Sequence, residues 1–214
     1  MADYYMLESW GLGNGEPLQE PESRRIKING QALRWMIGQK FSVQVPTPIE
    51  LQWSDEISGG GVAWEMDPHP SEGPRSESAI RRLWVYKNSH PPLFHRKIVD
   101  LLKDCGVDNI DVYETSVADM NSGHACTDYM AVNIVGAVRA ADMSRSSAKE
   151  FSEDGLVDTD FDSLVLDPQK ALGFMLFRLA ESINGIVVHR SIKKRIESEG
   201  GFDLRFIDPV DWIG

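Results

Sequence analysis

The stretch Tyr129–Val138, YMAVNIVGAV, is mainly apolar and rich in valine. A run of this kind reads as a central strand buried on both faces. Such a strand constrains everything else, because it needs strands beside it and covering material above and below. The flanking sequence supplies both. Phe94, Ile98, Leu101, Leu102 and Cys105 fall on one helical face, with Lys97, Asp100, Lys103 and Asp104 opposite. Ser89 is a candidate cap, Pro91 and Pro92 suit a first helical turn, and Gly106 supplies the stop. Ile110–Thr115 then reads as a strand.

Further on, Ala171–Ile183 admits two readings. Leu172, Leu176, Leu179 and Ile183 suit a helix begun by Asp167-Pro168, whereas Phe174–Leu179 alone would serve as a buried strand. Asn184-Gly185 ends either version. Ile186–Val188 is a strand, Ser191–Glu199 a short helix stopped by Gly200-Gly201, and Phe202–Ile207 a last strand before Pro209.

The first part of the chain is sparser. Tyr4–Leu7 and Arg25–Ile28 read as strands, the second entering a turn at Asn29-Gly30. Phe41–Val45 alternates and ends at Pro46 and Pro48. Ser58–Ser78 is rich in Gly, Pro, Ser and Glu and reads as a long surface loop, broken by a short strand near Val62–Trp64. No internal repeat is legible. Strands and helices mix without a βαβ rhythm, which favours α+β: a mixed, mainly antiparallel sheet with a few short helices packed on it. One domain over 1–214 is expected, with a less defined part at 1–82 and a better defined part at 83–214.

The composition, 42% hydrophobic and 26% charged, suits a chain with a sizeable core. With 33 acidic against 22 basic residues the formal net charge is −11, which repels phosphate backbones. Direct nucleic-acid binding is therefore not expected, and a basic protein is the natural complement. The opening MADYYMLESW has neither the basic n-region nor the apolar h-region of a secretory signal. The longest apolar stretches are too short to span a bilayer. Cys105 and Cys126 form no CxxC pair, so reduced thiols in a soluble, cytoplasmic protein are expected.

Several chemical motifs are incomplete. Gly11, Gly13 and Gly15 follow GxGxG and precede Pro17, with no helix placed to receive a phosphate. Asp158, Asp160 and Asp162 open like a calcium loop, yet its sixth position is Ser163 and its twelfth Gln169. His124 and Cys126 could hold part of a zinc site or a nucleophile pair, but no HxxxH or HExxH spacing supports them. No cofactor, metal or catalytic residue is expected.

Charge is the strongest local signal. Glu150, Glu153, Asp154, Asp158, Asp160 and Asp162 follow one another without Lys or Arg, among Phe151, Leu156 and Phe161. Two readings stay open: a solvated acidic loop, or aromatic anchors among acids that meet a basic surface. In the second reading Glu153, Asp154, Asp158, Asp160, Phe161 and Asp162 form the interface. A further candidate patch is Trp53, Asp55, Glu56 and Trp64, around Gly59–Gly61.

The order of segments PPLFHRKIVDLLKDCGVDNIDVYET, YMAVNIVGAVRAAD, FDSLVLDPQKALGFMLFRLAES and IVVHRSIKKRIESEGGFDLRFIDP resembles the bacterial polymorphic-toxin immunity proteins of family eleven. The resemblance covers Leu83 to Pro209, and Ser58–Ser78 departs from it. It implies an α+β fold with a strand at Phe174–Leu179, and a protein that protects its producer by binding a toxin encoded beside it. The family brings no catalytic residues. The rival expectation is a small hydrolase using His124, Cys126 or a carboxylate pair.

Overall fold

The computed structural model describes residues 3–9, 17–18, 27–28, 31–32, 38–45, 47–53, 85–86, 91–119, 123–149, 159–182, 185–202 and 204–213. In chain order these carry β1 (Tyr4–Ser9), β2 (Pro17–Leu18), β3 (Lys27–Ile28), β4 (Gln31–Ala32), β5 (Ile49–Trp53) and β6 (Val85–Tyr86). Next come β7 (Leu93–His95), α1 (Arg96–Asp104), β8 (Ile110–Asp119), β9 (Ala125–Cys126), β10 (Tyr129–Ile134) and β11 (Ala137–Val138). The chain closes with β12 (Ser147–Ala148), β13 (Phe161–Ser163), β14 (Leu176–Leu179), β15 (Ile186–His189), α2 (Arg190–Glu199) and β16 (Leu204–Ile207).

One sheet runs β11-β14-β15-β1-β16. The other runs β2-β5-β8-β10-β7-β6, with β9 also on β8. Among the described residues only β5–β8 and β11–β14 pair in parallel, so the fold is α+β with mainly antiparallel sheets. β12 and β13 form a separate pair, as do β3 and β4, which flank Asn29-Gly30.

The two large sheets contain the same unit twice. Tyr129 lies opposite His95, and Tyr4 opposite His189. From these anchors the segment Leu93–Tyr113 matches Val187–Ile207 without a gap, 94 positions apart (95 to 189), and the strand pairings agree throughout. Each unit is a hairpin, a helix and a strand: β6-β7-α1-β8 and β14-β15-α2-β16. The fourth strand is exchanged. β1 precedes the first unit in the chain but inserts between β15 and β16, while β10 precedes the second and inserts between β7 and β8.

The core follows this duplication. Its central part takes equivalent side chains from both units: Phe94 with Val188, Ile98 with Ile192, Leu102 with Ile196, and Val132 with Leu7. Equivalent patches meeting each other are the signature of an isologous contact between two subunits, here inside one chain. The outer faces have their own clusters. Tyr4, Met6 and Val187 lie in one, and their counterparts Tyr129, Ala131 and Leu93 in the other. Asn109 ties the two sheets together, its Nδ2 donating to Leu176 O at 2.9 Å and to Val135 O at 3.4 Å.

Several expectations are corrected here. The first helix starts at Arg96, not at Pro91, because Leu93–His95 pair with β10 and β6 and remain extended. Ser89 lies outside the described residues. The valine-rich run is buried throughout Tyr129–Ile134, then breaks at Gly136 (φ 92°), and Ala137–Val138 crosses to the other sheet. Phe41–Val45 is not a strand, although Val45 is buried and Phe41 packs edge-on against Tyr113. Of the two readings for Ala171–Ile183, the strand holds, shortened to Leu176–Leu179. Gly11, Gly13, Gly15 and Ser58–Ser78 lie outside the described residues. No helix among the described residues is long and apolar enough to cross a membrane.

Candidate protein-binding surface

The described parts of the chain between β11 and β14 cover the outer face of the β1-containing sheet. Ala140, Ala141, Phe161, Leu164 and Ala171 pack there with Phe177, Leu179 and Trp212. The described residues of this segment, 139–149 and 159–173, carry four acidic and four basic residues, and the acids at 150–158 lie outside the described residues.

Strand alternation sorts its acids. Asp160 and Asp162 are exposed, while Phe161 between them is 1% exposed and packs against Trp212, ring centroids 6.3 Å apart. Phe161 is therefore a core residue and not a surface anchor, which corrects that part of the expected interface. Asp162 accepts an ion pair from Lys149 Nζ at 2.7 Å, and this hydrogen bond holds the Lys149 pKa above its ordinary value. Asp160 O accepts from Lys149 N at 2.9 Å, tying the two strands of the small hairpin. Glu153, Asp154, Asp158, Asp55, Glu56 and Trp64 lie outside the described residues. Trp53 sits at the end of β5, in register with Asp119 of β8.

A feature absent from the expectations closes the cover segment. Leu172 (φ 53°) and Gly173 (φ 80°) are both left-handed, and Phe174 N donates to Ala171 O at 3.0 Å. Positive φ at both central positions marks a type I′ turn, which favours Asn-Gly. Leucine there costs about 1–2 kcal/mol of backbone strain. Leu172 is nevertheless 77% exposed, and Phe174 37%. The sequence signal was a Leu-Gly pair before a strand, obscured by leucine spacing that also suited a helix.

The base of this turn is firmly held. Asp167 Oδ1 accepts from Gln169 N at 3.0 Å, and Lys170 Nζ donates to Ala141 O at 3.0 Å. Glu181 Oε1 accepts from Ala141 N at 3.3 Å, and partial burial raises the pKa of this carboxyl. Arg178 is buried within β14, where desolvation lowers its pKa to about 10.

The residues weighed for chemistry lie in the other half. Cys126 Sγ is 3.9 Å from Asp128 Oδ2, and His124 is exposed beside β9. Cys105 packs at the edge of the central core, where burial raises its thiol pKa, the wrong direction for a nucleophile. Among the described residues no three His, Cys, Asp or Glu side chains gather to hold a metal. No family model matches the chain, and no curated protein is similar to it.

Proposed function

We propose that this chain is an immunity-type inhibitor, which binds a toxin protein encoded beside it and neutralises it by stoichiometric occlusion in the cytoplasm. The observation that carries the reading is the acid excess, a formal net charge of −11 over the chain. Such a charge complements a basic protein, raising the on-rate and disfavouring acidic competitors. The likeness of the segments from Leu83 to Pro209 to immunity family eleven adds to it, since those proteins act by binding. An interface of roughly 1,600 Å² with a few buried anchors is enough for nanomolar affinity.

Co-expression with the adjacent upstream reading frame tests the reading, scored by growth and by co-elution on a sizing column. The expected result is toxicity of the neighbour alone, rescue by this chain, and a stable one-to-one complex. Toxicity without rescue or complex overturns it.

A further inference from the structure

Glu181 follows β14 and gathers the cover segment to one point. Its Oε1 accepts from Ala141 N at 3.3 Å, just after the chain leaves β11, and its backbone O accepts from Thr159 N at 2.9 Å. The chain from 142 to 158 is therefore held at both ends by one residue. Lys170 Nζ donates to Ala141 O at 3.0 Å, which brings the far end of the segment to the same place.

The second carboxyl oxygen does not fit this scheme. Oε2 is buried without a hydrogen-bond partner. An ionised carboxylate there leaves a desolvated charge unpaired, a larger cost than that of a neutral carboxyl. Burial accordingly raises the pKa of Glu181. Four groups oppose it: the amides of Glu181 and Ala141, Lys170 from the cover, and Arg139 beside β11. Glutamine would keep the bond from Ala141 N with no charge to bury. What glutamate adds at this position is a proton that can leave.

We propose that Glu181 is a pH-sensitive clasp on the cover segment, tightest with its carboxyl neutral and loosened when the carboxyl ionises. Opening the cover returns the carboxyl to water, where it titrates at about 4.3. The closed state has the higher value, so its gain is complete below the open-state value and is lost as pH rises through the closed-state value. Opening also uncovers the outer cluster of Phe161, Phe177 and Trp212. The clasp belongs to this chain alone and does not rest on the inhibitor reading.

Hydrogen–deuterium exchange on the full chain between pH 4 and 7, corrected for the intrinsic pH dependence of exchange, reads the opening. The amides of Ala141 and Thr159 report the clasp, and Val132 N, bonded to Pro92 O in the other sheet, is the control. Protection at Ala141 and Thr159 should fall about three- to tenfold as pH rises, since one unit of pKa difference is tenfold in the opening equilibrium. Val132 should show no such fall, and Glu181→Gln should abolish it at both clasp amides. The carboxyl carbon resonance of Glu181 in the wild type should titrate above the ordinary glutamate value, a readout that stands even where the variant does not fold. Wild-type protection that stays flat, the same fall in Glu181→Gln, or a carboxyl titrating at or below the ordinary value overturns the clasp.

Discussion

His95 and His189 occupy the same place in the two halves of the fold. Each ends a strand, caps the following helix through Nδ1, and packs its ring edge-on against a tyrosine of the exchanged strand. His95 Nδ1 accepts from Lys97 N at 3.2 Å, and His189 Nδ1 accepts from Ser191 N at 3.3 Å. The rings of Tyr129 and Tyr4 lie 5.5 and 5.3 Å away. The next residue is an arginine whose N–H donates to the aspartate before the tyrosine: Arg96 to Asp128 O at 2.7 Å, Arg190 to Asp3 O at 2.8 Å.

A cap that needs a neutral imidazole makes the first helix sensitive to acid. Burial chiefly lowers the His95 pKa; Asp128 opposes this, while Lys97 and Arg96 add to it. Folding therefore favours the neutral ring. Its contribution is complete above the unfolded value, about 6.5, and is lost as pH falls through the lower folded value. His95→Asn should keep a cap and remove this part of the pH dependence. His95→Ala should cost about 1 kcal/mol at neutral pH. Urea unfolding of all three proteins between pH 5 and 8 checks both outcomes.

Both helices stop at equivalent glycines, in different ways. Gly106 (φ 85°) donates to Lys103 O and Val107 to Leu102 O, the paired bonds of a Schellman end. Gly200 has φ 70° and ψ 170°, a region nearly confined to glycine. Gly106→Ala should cost about 1 kcal/mol and Gly200→Ala up to about 3 kcal/mol. Equal losses in denaturant midpoint would contradict this order.

How much of this was legible in the sequence depends on the range of the interactions. The ends of α2, the glycine stops and the strands at β1, β8 and β15 follow from local patterns, and were readable. The start of α1 was not, because strand pairing with Met130 kept Phe94 extended against its helical spacing. The duplication was invisible too. Over the matched segment only His95/His189, Arg96/Arg190, Ile98/Ile192 and Gly106/Gly200 are identical, since the core asks for apolar volume and not for particular residues. On the surface, Asp160 and Asp162 were found from charge, whereas Phe161 was misjudged because a strand can point one aromatic inward between two exposed acids.

Gly185 sits where β15 begins, and a Cβ there would meet Ser182 O at 3.0 Å, Met6 Cε at 3.1 Å and Trp212 Cη2 at 3.3 Å. The carbonyl belongs to the backbone and yields little. Gly185→Ala should therefore destabilise by about 1–3 kcal/mol through overpacking. Thermal unfolding would detect it as a drop of several degrees in Tm; an unchanged Tm would show that this corner is loosely packed.

The exposed acids should act on encounter more than on release. Asp160→Lys with Asp162→Lys should slow association with a basic partner several-fold at low salt and leave dissociation nearly unchanged. The difference should shrink as ionic strength rises and the Debye length falls. Stopped-flow mixing with the purified partner measures both rates. A salt-independent on-rate for wild type would remove the electrostatic component.

The exchanged strands also set a schedule. β1 is made long before both of its neighbours, β15 and β16. The first hairpin and helix likewise wait for β10 to fill their sheet. The sheet of the first unit has all its strands once Ile134 is made, whereas the β1-containing sheet cannot close until β16 follows. Until then β1 is an aromatic strand with open edges, the kind of nascent segment that aggregates or engages chaperones.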